Sequence, residues 1–176
     1  MSKAKFTKHL KELNIEELKH ELLDLYTKVP GVKEHYAMEL GSEADRLRIY
    51  TKAKKDITSK YATKSFRRPR RPRIQKINAI LKALKKATIF EHEMVDIYLF
   101  DIETALVFIV KYHFYSQVLA NHIVGVFAKA ADIISHQQLQ SSFKERCELI
   151  LRRSELLPDI HWDLDNIYKK CFLDID

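Results

Sequence analysis

The sequence predicts an all-α fold, either a single-domain helical bundle or a short array of antiparallel helix pairs, with about seven to nine helices. The chain has 176 residues, of which 46% are hydrophobic. That content is enough to bury a core in one domain spanning residues 1–176. Only three glycines and four prolines occur, whereas all-β folds need turn residues at a much higher density.

Helical signals begin near the N-terminus, where a short apolar stripe precedes Asn14. Asn14 and Glu17 form a capping pair that opens a second helix. We expect this helix to end at Pro30-Gly31. Its inward face is predicted to carry Ile15, Leu18, Leu22, Leu25, Tyr26 and Val29.

A short third helix is predicted over residues 32–40, closing at Gly41. Ser42, followed by Asp45, suits the start of a longer fourth helix. The apolar face of that helix is predicted to contain Leu47, Tyr50, Ala53, Ile57 and Tyr61.

A connector is predicted over residues 63–72 because Pro69 and Pro72 cannot lie inside a helix and favour extended conformations for Arg68 and Arg71. Helix resumes after Pro72. One arc of this fifth helix is apolar, comprising Ile74, Ile77, Ile80, Leu81 and Leu84.

Four further helices are expected, the second of them capped by Ser116 and the third stopping at Pro158. Their predicted spans are residues 90–112, 117–135, 139–157 and 162–172. An aromatic seam is expected to dock the last helix onto the core, formed by Trp162, Tyr168 and Phe172.

Four segments carry a resemblance to a known family. They are VKEHYAMEL near the N-terminus, RRPRRPRIQKINAILKALKK in the middle, FKERCELI, and the closing HWDLDNIYKKCF. In this order the chain resembles an uncharacterised bacterial all-helical family known only as a domain of unknown function. The resemblance implies a helical fold and a bacterial origin, and it implies no activity and no catalytic residues.

The charge is unevenly distributed along the chain. Residues 1–88 contain 23 Lys and Arg against 10 Asp and Glu, whereas residues 89–176 contain 8 against 14. The halves therefore carry net charges of +13 and −6, which together give the net charge of +7. We name residues 46–86 the basic block, because they hold 16 cations and a single acid, Asp56.

Five arginines fall within the seven positions 67–73, at the end of the connector and one residue beyond it. Guanidinium groups suit phosphate because each offers a planar fork of donors, and the two prolines favour an extended arm. Tyr61 and Phe66 are candidates for stacking on unpaired bases. The predicted anion-binding side chains are Arg67, Arg68, Arg70, Arg71, Arg73 and Lys76. The same cations would alternatively lie against the acidic half of this chain or of a second copy.

A weak metal-site candidate lies in the sixth helix, where His92, Asp96 and Glu103 share a narrow arc. The segment lacks the HExxH motif, and Asp96 and Glu103 are about 10 Å apart along the helix axis. One helix cannot complete such a site. The candidates for a further metal ligand are His113, His122 and His136.

The sequence favours binding over catalysis. It contains no GxSxG motif and no glycine-rich phosphate loop, and Cys147 lies mid-helix among apolar residues. We expect no cofactor, no membrane association and a cytoplasmic location. The leading hypothesis is a binding protein whose basic block contacts a nucleic acid or an acidic protein partner. Its alternatives are a homo-oligomer joining the basic block to the acidic half, and a divalent-metal enzyme.

Overall fold

The chain forms nine helices and no strand in the part that the structure, a computed structural model, describes: residues 2–88 and 90–173. The all-α prediction is therefore confirmed. The helices are α1 Lys3–Glu12, α2 Ile15–Lys28, α3 Pro30–Glu39, α4 Glu43–Tyr61, α5 Ile74–Ala87, α6 Glu91–Tyr112, α7 Gln117–His136, α8 Gln140–Ser154 and α9 Pro158–Phe172.

Helices α6 and α7 form the centre of the bundle. α6 packs on α4, α5, α7 and α8, and α7 also packs on α9. α6 is buried on several sides because apolar residues occupy most of its circumference. The buried side chains from Met38 to Phe172 form one hydrophobic cluster.

Helix α7 is the one described helix long and apolar enough to cross a membrane, with a mean hydropathy of 1.4 over its most apolar window. In this fold 56% of that window is buried. Its apolar side chains, such as Ile123, Phe127 and Ile134, belong to the hydrophobic cluster. The apolar character of α7 is accounted for by its central place in the bundle.

Three predicted helix starts have the expected caps. Asn14 and Glu17 form a reciprocal capping box at α2, with the Glu17 N–H donating to Asn14 Oδ1 at 2.9 Å. Ser42 and Asp45 form a second capping box at α4. The Ser116 hydroxyl accepts a hydrogen bond from the Leu119 N–H at the start of α7.

Two prolines begin helices that we expected to start later. Pro30 opens α3, which was predicted over residues 32–40, and Pro158 opens α9, which was predicted over residues 162–172. At the first helical position a proline loses no hydrogen bond, and its fixed φ suits the helix. α8 ends at Ser154, three residues before the predicted end.

The prediction that α2 points its apolar face inward is wrong. None of its residues is buried, and Leu22 and Ile15 are 50% and 71% exposed. α2 packs on α3. Neither α2 nor α1 contributes a residue to the hydrophobic cluster. Whether residues 1–176 act as a single domain therefore stays a prediction.

Two other side chains expected to pack inward are exposed. Leu47 on α4 is 65% exposed, although Tyr50, Ala53 and Ile57 on the same helix are buried as predicted. Trp162 on α9 is 69% exposed. α9 is held to the core by Ile160, Leu164, Tyr168, Cys171 and Phe172 instead.

Candidate nucleic-acid interface

The six predicted anion-binding residues lie together between α4 and α5. Five of them belong to the loop of residues 62–73, and Lys76 is in the first turn of α5. All six side chains are exposed. We name these six residues the basic loop: Arg67, Arg68, Arg70, Arg71, Arg73 and Lys76.

Backbone hydrogen bonds close this loop on itself. The Arg73 N–H donates to the Lys60 carbonyl oxygen at 3.2 Å, which brings the two ends of the loop together. The Arg70 N–H donates to Thr63 Oγ1 at 2.9 Å, and the Arg68 N–H donates to Ser65 Oγ at 3.2 Å. The segment is thus a closed loop and not the extended arm that its prolines suggested.

One aromatic side chain anchors the loop to the bundle. The Phe66 ring centroid lies 5.7 Å from that of Tyr112 on α6, and Tyr112 in turn lies 5.0 Å from Phe108. Phe66 is nonetheless 62% exposed. Tyr61, the other predicted stacking residue, is buried at the end of α4, so only Phe66 is accessible for stacking on a base.

Few cations of the basic block form ion pairs with acids in the described part of the chain. Arg46 Nε lies 4.0 Å from Glu93 Oε1, and Lys54 Nζ lies 2.7 Å from Asp96 Oδ2. The other fourteen cations of the block form no ion pair with any residue that the structure describes. Within residues 2–88 and 90–173, ion pairs between the basic block and the acidic half of the same chain therefore occur at two positions only, both on α4.

The acidic half uses many of its carboxylates internally. Arg146 on α8 donates two hydrogen bonds to Glu103, at 2.7 and 3.0 Å, and one to Asp96 Oδ1. Burial alone would raise the pKa of Asp96, but Lys54 and Arg146 more than offset this and hold that pKa below its usual value. The arrangement is an ion-pair network joining α4, α6 and α8.

This network occupies two of the three residues of the weak metal-site candidate. Asp96 and Glu103 both face Arg146, whereas His92 is exposed and its ring lies 6.1 Å from that of Phe90. Over residues 2–88 and 90–173, no three His, Cys, Asp or Glu side chains are arranged to hold a metal ion. A cationic guanidinium between the two carboxylates opposes cation binding there.

A buried polar cluster that sequence analysis missed links α4, α6 and α7. The Tyr61 hydroxyl donates to Asp101 Oδ1 at 2.8 Å, and His122 Nε2 lies 2.7 Å from Asp101 Oδ2. Burial, together with the Asp101 carboxyl, raises the pKa of Tyr61 above its usual value. Tyr61 therefore remains protonated and donates to a carboxyl group that has no access to solvent.

The two cysteines lie within the core. Cys147 and Cys171 are free thiols and buried. Burial, with a smaller contribution from Cys171, raises the pKa of Cys147 to about 12. At neutral pH Cys147 is therefore a thiol, which is a poor nucleophile.

Comparison with known proteins identifies a family. The model of a family of unknown function, DUF6155, matches residues 1–169. The comparisons with curated proteins and with solved structures found no match. Nothing in the family match bears on the source organism, so a bacterial origin stays a prediction. Because the match covers nearly the whole chain, the protein belongs to the DUF6155 family of unknown function.

Proposed function

We propose that the protein is a non-enzymatic binding protein that contacts nucleic acid through the basic loop. The observation that carries this proposal is the combination of six exposed cations with the absence of any ion pair between them and a described acidic residue. A cytoplasmic location in a bacterial cell, where both DNA and RNA are accessible, is part of the same proposal.

The loop offers donors in the geometry that phosphates accept. Each guanidinium group can form two parallel hydrogen bonds to one phosphate, which a lysine cannot do. The hydrogen bonds of the Arg68, Arg70 and Arg73 N–H groups hold the backbone between Lys60 and Arg73. Less conformational entropy is then lost on binding than for a disordered arm.

Phe66 favours unpaired over duplex nucleic acid. Its ring is 62% exposed within the same loop as the arginines, and aromatic side chains stack on bases irrespective of sequence. Stacking on a flat aromatic ring requires a base that is not already stacked on both sides. We therefore expect single-stranded RNA or DNA to bind more tightly than a duplex of the same length.

The two alternative functions have less support. A homo-oligomer joining the basic loop to the acidic half could not use Asp96, Glu103 or Asp101, which are engaged inside the fold. It would depend on exposed carboxylates such as Glu91, Glu145 and Glu155. A divalent-metal enzyme at His92, Asp96 and Glu103 would require Arg146 to leave its two carboxylate partners. The absence of catalytic activity itself stays a prediction.

The test is fluorescence anisotropy with labelled single-stranded DNA, RNA and duplex DNA at two salt concentrations. Wild type is compared with a variant in which the five loop arginines are replaced by glutamine. If five phosphates are contacted, log affinity should fall against log salt with a slope of about −3.5 on single strands and about −4.5 on duplex DNA. The variant should bind at least about tenfold more weakly.

A control variant with the same change in net charge separates a local site from general electrostatic attraction. It replaces five exposed lysines outside the basic block by glutamine: Lys3, Lys5, Lys8, Lys11 and Lys33. The proposal requires this variant to bind almost as wild type does. Equal losses in both variants, or no binding by wild type at low salt, would show that the loop is not a nucleic-acid site.

A further inference from the structure

An open apolar groove of about 1230 Å³ lies between α2, α3 and α4. Leu22, Leu23 and Tyr26 of α2 form one wall, and the outer face of α4 forms the opposite wall. These three side chains are 50%, 65% and 40% exposed. Monomeric proteins rarely expose a cluster of apolar side chains of this kind, and such clusters usually mark an interaction surface.

The groove is larger than a small-molecule site. Its volume exceeds the range of about 300–1,000 Å³ typical of ligand pockets, and it is open to solvent. A groove of this kind accommodates the side chains of a helix, which enter at positions three and four residues apart.

The opposite wall gives the groove a positive rim. Arg48, Lys52 and Lys55 project along it, at spacings of four and three residues, against one acid, Asp45. None of the three cations forms an ion pair with a described residue, whereas Asp45 accepts hydrogen bonds from Ser42 at the cap of α4. The matching occupant is therefore a helix with an apolar face and an acidic flank.

Helix α2 itself has this character. The apolar face of α2 has no buried residue, and the helix as a whole contains four acids and two lysines. Lys19 and Lys28 form ion pairs with Glu16 and Asp24, but Glu21, next to Leu22 and Leu23, forms none with a described residue.

We propose that the groove binds α2 of a second copy of this chain, so that two copies form a twofold-symmetric dimer. In such an isologous contact each copy supplies one α2 and one groove, and both grooves are filled at once. The apolar faces of the two α2 helices pack together, and the acidic flank of each lies along the cationic rim of the other. An anionic membrane surface would be attracted to the three cations of the rim, but it would also meet α2, in which four acids outnumber two lysines, so it fits less well than a second copy.

This dimer is separate from the nucleic-acid site. It uses Arg48, Lys52 and Lys55 of α4, whereas the basic loop begins at Arg67. Replacing the five loop arginines should therefore leave the dimer intact, and breaking the dimer should leave binding of a short single strand intact.

The first test measures molar mass by light scattering and sedimentation of the full chain over a range of concentrations. Wild type should approach twice the chain mass of 20.8 kDa. The double substitution L22S/L23S should raise the dimer Kd by about 100-fold, since it removes two central apolar contacts. Both side chains are at least half exposed, so the circular dichroism of the variant should be unchanged. V107S/V110S on α6, which alters two similarly exposed residues outside the groove, should leave the Kd unchanged.

The second test exchanges charges across the contact. K52E/K55E should weaken the dimer about tenfold or more and E21K should weaken it less, and combining the three substitutions should restore part of the affinity. K82E/K85E on α5 makes the same charge change at exposed positions outside the groove and should have little effect.

Several outcomes would overturn the proposal. A wild type that remains monomeric at about 100 μM, which is about 100 times a typical micromolar Kd, would overturn it. A dimer unaffected by L22S/L23S would mean that another surface joins the copies. Binding to anionic phospholipid vesicles that is lost in L22S/L23S would assign the groove to a membrane. By contrast, if the variant that lacks the five loop arginines loses RNA binding but still forms the dimer, both proposals are supported.

Discussion

Helices α2 and α6 are both rich in apolar residues, but the fold buries only those of α6. α6 is surrounded by α4, α5, α7 and α8, and residues such as Leu99, Ile102 and Leu106 have lost essentially all contact with solvent. α2 packs on α3 and has no buried residue. The comparison teaches that helical periodicity identifies an apolar face without identifying what covers it, which is another part of the same chain for α6 and, in our proposal, a second copy for α2.

The largest expected difference between the two helices is in the cost of removing one leucine. Leu106→Ala on α6, where the side chain is 1% exposed, should lower the free energy of unfolding by about 2–5 kcal/mol. Leu23→Ala on α2, where it is 65% exposed, should change that free energy by less than about 0.5 kcal/mol. Urea denaturation, at a protein concentration too low for dimers, measures both. Similar losses in the two variants would mean that α2 is packed against the core in solution.

Most of the fold was accessible from the sequence because its signals are local. The capping residues Asn14, Ser42 and Ser116 and the apolar periodicity placed the helices close to their observed bounds. Pro30 and Pro158 were misplaced because a proline ends one helix and begins the next equally well. The exposure of α2 was not predictable, since it depends on which faces the other helices leave uncovered.

A smaller difference in stability is expected between a buried hydrogen bond of α6 and the exposed cap of α2. Tyr61→Phe removes a buried hydrogen bond to Asp101 of α6 and should lower the free energy of unfolding by about 1–3 kcal/mol. Asn14→Ala removes the cap of α2, whose partners are exposed. It should increase hydrogen exchange within α2 while leaving global unfolding nearly unchanged, because α2 can unfold locally. If Asn14→Ala destabilised the whole protein more than Tyr61→Phe, α2 would be part of the cooperative core.

The candidate sites, like the fold, have some features that the sequence predicts and others that depend on how the helices pack. The basic loop was identified from its arginines and prolines alone, but its closure was not, because the bond from the Arg73 N–H to Lys60 depends on how α4 and α5 meet. Asp101 was detectable in principle, since it lies on an apolar arc of α6 with Tyr98 and Ala105 and a buried acid needs partners. Sequence alone could not name Tyr61 and His122 as those partners. The same limit explains why Asp96 and Glu103 suggested a metal when Arg146 lies between them.

The smallest expected difference is between ion pairs. The depressed pKa of Asp96 means that its network stabilises the fold at pH values above about 3.9, the unfolded value, and that this contribution is lost as pH falls through the lower folded value. Arg146→Gln should therefore be less stable than wild type at pH 7, and the difference should shrink below pH of about 4. Lys28→Gln on α2 removes an exposed pair with Asp24 and should leave the melting temperature nearly unchanged at every pH. Thermal unfolding at a series of pH values compares the two variants. A deficit in Arg146→Gln that is equal at pH 7 and pH 3 would show that Arg146 stabilises the fold through packing of its side chain and not through its charge.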